Sequence, residues 1–189
     1  MSNLITKTTE LAMEVTLKYI CPGDTVIDAT CGTGQDTLAL AEAVGGKGQV
    51  IGFDIQEKAL EMTGERLKAR GITNVRLIKD SFVNMKEYAA EESVSAAVFN
   101  LGYLPGGDHS LTTEADTSRE GIGRALEIIK PGGVVTVVMY DGHEAGREEK
   151  RSILEFSKGL DPRVFHAAYV SLVNQQNHPP EILWITKKH

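Results

Sequence analysis

The alternation of short β-branched runs with stretches of helical period limits the fold of this chain more than any other feature. Residues 25–29, 48–55, 75–80, 94–101 and 133–140 read as five strands. The runs around Val26, Val50 and Val134 are almost continuously apolar. That is the pattern of strands covered on both faces in a parallel sheet; a sheet with one wet face alternates. One helical pattern spans residues 36–44 and breaks at Gly45-Gly46; a second, residues 56–70, carries Leu60 and Leu67 one heptad apart and ends at Gly71. Ile122, Ala125, Leu126 and Ile129 then recur at i, i+3, i+4 and i+7, and Pro131-Gly132-Gly133 stops that helix. A charged helix follows over residues 144–158. Two late runs, 163–173 and 181–187, joined by the polar NQQNHPP, read as an antiparallel hairpin closing the sheet. Strand–helix alternation of this kind predicts a doubly wound α/β sheet with helices on both faces, a single domain over residues 1–189. Ligands of such sheets lie beyond the C-terminal strand ends, near the point where strand order reverses. The residues that end each strand are therefore the ones to read.

Composition narrows the classes. With 189 residues, 41% of them hydrophobic and 24% charged, the chain buries about 70% of its unfolded surface and is neither disordered nor collagen-like. Two cysteines, Cys21 and Cys31, are too few for a disulfide framework. No apolar run approaches the roughly 20 residues of a membrane span, and the N-terminal residues lack the basic-then-apolar pattern of a signal peptide. A cytoplasmic protein with no membrane partner is expected. The net charge of −6 argues against a nonspecific nucleic-acid binder, though not against an enzyme touching a folded RNA at one patch.

The first strand runs into DATCGTGQDT, residues 28–37. Gly32 and Gly34 permit a tight turn and close approach of a ligand, and the next helix presents free amides. A dinucleotide loop needs as much, but it also needs a third glycine where this chain has Thr37, and a pyrophosphate on the helix terminus. Asp36 beside the loop repels a diphosphate yet suits a ligand with ammonium or sulfonium charge, and Asp28 adds a second negative group. The second strand ends in Asp54, either a carboxylate for ribose hydroxyls or the N-cap of the helix before Glu57. The third ends KDSF. There, Asp80 or Ser81 is placed to take an adenine amino group and Phe82 to lie on the ring, unless the segment is a plain loop.

These strand ends, taken in chain order, resemble the first three motifs of the Rossmann-like S-adenosylmethionine (SAM)-dependent methyltransferases. The resemblance implies a seven-stranded sheet, mostly parallel with an antiparallel last strand. It places Asp28, Thr30, Gly32, Gly34 and Asp36 around the methionine part of SAM, with Thr33 and Gln35 in the same cofactor loop. Asp54 and Gln56 hold the ribose, and Asp80 and Ser81 the adenine. The fourth strand ends VFNLGYLPGGDHS, residues 98–110. Asn100 stands where amino-methylating enzymes of this kind carry an Asn or Asp before an aromatic motif. Its side-chain oxygen accepts hydrogen bonds from the target nitrogen and aims the lone pair at the methyl group, so catalysis is chiefly alignment. Asn100 also borders the cofactor, and Tyr103 flanks a planar acceptor. Read without the resemblance, the segment is a polar loop turning at Pro105-Gly106-Gly107.

The strings NLGYLPGGDH, DATCGTGQDT, YDGHEAGREEK and NQQNHPP are together similar to the small bacterial proteins of the "putative rRNA methylase" family, from about Thr8 to Trp184. That resemblance implies methylation of the aminomethyl group of 5-aminomethyl-2-thiouridine at the tRNA wobble position. SAM is then the donor, S-adenosylhomocysteine (SAH) the product, tRNA the substrate, and no metal takes part. The acceptor amine must be neutral, since an ammonium has no lone pair. Asp108, His109 and His143 are the candidates to take or hold its proton; each is equally readable as a loop residue. Arg147, Lys150 and Arg151 lie one turn apart and meet either phosphates or the interspersed Glu148 and Glu149. NQQNHPP either caps the pocket, its amides reading a base edge, or forms the hairpin turn. Cys31 has no nearby His or second Cys to make it a nucleophile or metal ligand. Without a separate RNA-binding module, recognition of tRNA implies a compound surface, as across a homodimer. The alternatives are an rRNA base methyltransferase, a small-molecule amine methyltransferase and a non-catalytic SAM-binding protein. A nicotinamide-dependent oxidoreductase lacks both the third glycine and a Tyr/Lys or His pairing.

Overall fold

The computed structural model describes residues 7–102, 115–142, 144–175 and 177–189. Helix α1 (Thr8–Leu17) precedes β1 (Thr25–Asp28), α2 (Gln35–Val44), β2 (Gln49–Asp54), α3 (Glu57–Ala69) and β3 (Val75–Lys79). A short 3-10 turn (Phe82–Glu87) leads to β4 (Val94–Leu101), α4 (Ala115–Ile128), β5 (Ile129–Met139), α5 (Glu144–Lys158), β6 (Phe165–Val170) and β7 (Glu181–Lys187). The strands form one seven-stranded sheet in the order β3-β2-β1-β4-β5-β7-β6. Pairing is parallel from β3 through β5, and β7 runs antiparallel to both of its neighbours. This is the mixed Rossmann-like sheet expected, with one refinement. The terminal hairpin sits at the edge with its last strand inside: β7 is buried between β5 and β6, while β6 is the exposed rim.

The apolar runs are continuous because successive residues feed two cores. Val26, Val50, Ala96, Val98, Val134 and Val138 point to one face, where Ala12 of α1 and Leu40, Ala41 and Val44 of α2 cover them. Ile27, Ile51, Ala97, Phe99, Val135 and Val137 point to the other, under Ile122, Ala125 and Leu126 of α4 and Ile153 of α5. The period of two sends alternate side chains to opposite faces, and here both are dry. Edge strand β3 lacks this double burial.

Helix ends follow the punctuation read in the sequence. The stop of α3 is a Schellman motif: Gly71 is left-handed (φ 66°), Gly71 N–H donates to the Lys68 carbonyl and Ile72 N–H to that of Leu67. Helix α4 ends at Ile128, earlier than expected. Ile129 already pairs with Val94, and the residues around Pro131 bulge before regular pairing resumes at Val134 opposite Ala96. Helix α1 and the 3-10 turn were not expected. The first packs Ala12 against the core and bonds Thr16 Oγ1 to Thr136 Oγ1 at 2.6 Å. Among the described residues, no helix is long and apolar enough to cross a membrane.

Candidate active site

The strand order reverses between β1 and β4, which run side by side with Asp28 paired to Val98. The loop leaving β1 and the end of β4 therefore face each other across the crevice that opens at such a switch point. The β1 loop is built by its glycines and carboxylates. Gly32 (φ 54°) and Gly34 (φ 76°) are left-handed, and a Cβ on Gly34 would stand 2.8 Å from Thr63 Cα. Glycine at position 34 is thus required by conformation and by the close approach of α3. Asp28 has no exposed surface. Its carboxylate accepts from Thr37 Oγ1 at 2.5 Å and from Thr30 N–H at 3.1 Å. Burial, and then the charge of Asp36, push this carboxyl up to about 7. Asp28, expected to surround a ligand, supports the loop from beneath instead. Thr37, where a dinucleotide fold carries glycine, is the buried hydroxyl that satisfies it.

Asp54 closes β2 and ties the two loops together. Gly32 N–H donates to Oδ2 at 3.0 Å and Gln56 N–H to Oδ1 at 2.9 Å. It is half-buried and is not the N-cap of α3, which is Gln56; Asp54 stands two residues earlier and turns the chain into that helix through the Gln56 N–H. Ile55, next in the chain, is 57% exposed; sequence reasoning missed it, because an apolar residue after a strand reads as more strand. Asp80 accepts from Ser81 N–H and Asn84 Nδ2 on Oδ1 and from the Tyr88 hydroxyl on Oδ2. The Asn84 hydrogen bond, followed by that of Ser81, holds its carboxyl below the usual range. Ser81 caps the 3-10 turn by accepting from Val83 N–H. Phe82 does not lie in the crevice. It is buried edge-on to Phe99, with ring centroids 5.5 Å apart.

At the end of β4, Asn100 N–H donates to Thr30 Oγ1 at 2.8 Å and Asn100 Nδ2 donates to Asp36 Oδ2. Burial raises the Asp36 carboxyl, and the Asn100 amide draws it partly back. Tyr140 follows β5. Burial and then the charge of Asp36 raise its phenol, and its ring lies 3.6 Å from where a Cβ on Gly102 would stand. Asn100, Asp36 and Tyr140 thus gather at one place. In the sequence Tyr140 reads as the last residue of the fifth strand and carries no role, because nothing local shows that it packs over Gly102 beside Asp36.

Other candidates resolve differently. Tyr103, Asp108, His109 and His143 lie outside the described residues. Lys150 bonds Asp141 and, at 2.8 Å, Glu181, tying the middle of α5 to the segment after β5 and to the start of β7. Arg151 lies 3.8 Å from Glu148. Of Arg147, Lys150 and Arg151, the last two therefore stand beside carboxylates. Cys31 is buried, and burial raises its thiol far above the ordinary range, which removes it as a nucleophile.

These residues fit SAM. The left-handed glycines turn the chain tightly beside two half-buried carboxylates, Asp36 at the start of α2 and Asp54 at the end of β2, whose charge suits a sulfonium and opposes a diphosphate. Comparison with known proteins agrees. The model of the family described as "Putative rRNA methylase" matches residues 50–186. The chain is 43% identical over 164 residues to the chloroplastic tRNA (mnm(5)s(2)U34)-methyltransferase of Arabidopsis thaliana, covering 82% of this chain and 60% of that protein. A crystal structure titled as a putative rRNA-methylase from Clostridium thermocellum superposes with a TM-score of 0.93 at 42% identity, covering 96% of this chain and 97% of that one. A structure titled as a putative methyltransferase from Streptococcus mutans in complex with SAH gives 0.87 at 35% identity, covering 96% and 98%. The chain belongs to the "Putative rRNA methylase" family and is a SAM-dependent methyltransferase.

Proposed function

We propose that this enzyme methylates tRNA on the nitrogen of the aminomethyl group of 5-aminomethyl-2-thiouridine at the wobble position. The observation that carries the reading to an amine acceptor is the pose of Asn100. Its NH2 is taken by Asp36, and its Oδ1 has no partner among the described residues. A carboxamide oxygen that no described residue takes up is an acceptor for an N–H of the substrate. The Arabidopsis relative, whose name states this tRNA nucleotide, supports the finer substrate. The chain spans 60% of that relative's length.

SAM, when bound, supplies a methyl group on a cationic sulfonium sulfur. The chain's residues do the rest. Thr30, Gly32, Thr33, Gly34, Gln35 and Asp36 hold the methionine end, Asp54 and Gln56 the ribose, and Asp80 and Ser81 the adenine. Asp36 favours the cation by charge. Asn100 accepts a hydrogen bond from the neutral amine and holds its lone pair in line, an alignment worth about 10–100-fold in rate. Tyr140 bounds the acceptor side. Asp108, His109 and Tyr103, in the segment after β4, are assigned to the acceptor and its proton. The test is tRNA carrying 5-aminomethyl-2-thiouridine, incubated with the enzyme and SAM, with nucleosides read by mass spectrometry. The expected result is one added methyl on that nucleoside. No gain there, together with gain on ribosomal RNA or on a free amine, overturns the assignment.

A further inference from the structure

Asp36 belongs to the first turn of α2, yet its carboxylate accepts a hydrogen bond from the end of β4, sixty-four positions along the chain. Asn100 is thereby fixed twice from the loop after β1: its backbone N–H by Thr30 Oγ1 at 2.8 Å and its side-chain amide by Asp36. We infer that Asp36 is a positioning residue for the acceptor, acting through Asn100. A carboxylate accepts but does not donate, so only the NH2 edge of Asn100 can face it. The carboxamide is locked in the one orientation that turns Oδ1 away from Asp36. A flipped Asn100 would set two oxygens against each other and present an NH2, not an oxygen, to the incoming amine. The ring of Tyr140 packs over Gly102, two residues beyond Asn100. Charge on α2 thus sets the hydrogen-bonding sense of the β4 end. One residue serves both halves of the reaction, favouring the cationic donor and orienting the group that aligns the amine. The inference rests on the amine-acceptor reading above and adds a role for a residue assigned there only to the cofactor.

The test has two readouts. In a nitrogen-15 amide spectrum, the side-chain NH2 of Asn100, assigned by its loss in Asn100→Ala, is expected to be displaced from free-amide positions. It should return there in Asp36→Ala and remain largely displaced in Asp36→Asn, whose carbonyl still accepts. In single-turnover methyl transfer at saturating SAM, Asp36→Ala is expected to slow the step about 10–100-fold, while SAM affinity by calorimetry, which also loses the attraction of this carboxylate for the sulfonium, falls by a clearly smaller factor. Introduced into Asn100→Ala, the same change is expected to cost less than about twofold more, since its route of action is gone. Equal costs in both backgrounds, or a loss of SAM affinity matching the loss of rate, make Asp36 a cofactor ligand only and overturn the inference. So does an Asn100 amide resonance indifferent to Asp36. A wild-type enzyme inactive on the aminomethyl tRNA overturns the substrate instead, and the amide resonance then decides the inference alone.

Discussion

Asp28→Asn tests the electrostatics beneath the cofactor loop. The buried Asp28 carboxyl keeps its proton in the folded chain up to about pH 7, against an ordinary 3.8. Between those values the folded state binds more protons than the unfolded one, so stability falls as pH rises, and above pH 7 the loss is complete. A displacement of that size corresponds to about 4 kcal/mol. Asparagine keeps the geometry, its oxygen accepting from Thr30 N–H and its NH2 donating to Thr37 Oγ1, and carries no charge. The variant should therefore match wild type near pH 4 and exceed it by up to about 4 kcal/mol at pH 8. At about 2–4 °C per kcal/mol for a chain of this length, that is roughly 8–16 °C in Tm. Asp36 is raised in the same direction, so the variant should keep a smaller slope of the same sign. Urea and thermal unfolding of the ligand-free protein across pH 4–8.5 reads this out. A stability difference that stays constant with pH would refute a raised Asp28.

Three further outcomes are expected. Gly34→Ala places a Cβ at a left-handed residue 2.8 Å from Thr63 Cα; it should cost about 1–3 kcal/mol in urea unfolding and abolish SAM binding in calorimetry, and a variant that binds normally would contradict the close approach of α3. Tyr140→Ala should raise the KM for tRNA about tenfold or more, the worth of one aromatic face against a base, while Tyr140→Phe stays near wild type and SAM affinity is unchanged in both. Lys150→Met leaves Asp141 and Glu181, 11% and 13% exposed at their side chains, without their shared cation. It should destabilise by about 3 kcal/mol in urea unfolding at pH 7, and a loss below about 1 kcal/mol would make this ion pair dispensable.

The fold was legible where one local rule decided the outcome. Continuous apolar runs at Val26, Val50 and Val134 announce strands covered on both faces, and Gly71 announces the end of α3, because each signal has one physical meaning. Helix α1 escaped notice because its apolar residues form no strong stripe; its place is set by long-range contacts such as Thr16 with Thr136. The insertion of β7 between β5 and β6 was equally hidden, since either strand of a hairpin can join the sheet. In the crevice, the acidity of the β1 loop was readable and the division of labour within it was not. Asp28 and Asp36 look alike in DATCGTGQDT, but one is sealed under Thr37 and the other reaches Asn100. Phe82 illustrates the same limit: an aromatic after a strand suits a ring-stacking role or a core, and the space over Gly121 and beside Phe99 decided for the core.

That the end of β4 aligns the acceptor is tested most directly by Asn100→Ala under single-turnover conditions, with SAM affinity measured on the same preparation. The methyl-transfer rate should fall about 10–100-fold with SAM affinity within about twofold of wild type. Affinity falling in step with the rate, or a rate left unchanged, would contradict alignment by Asn100.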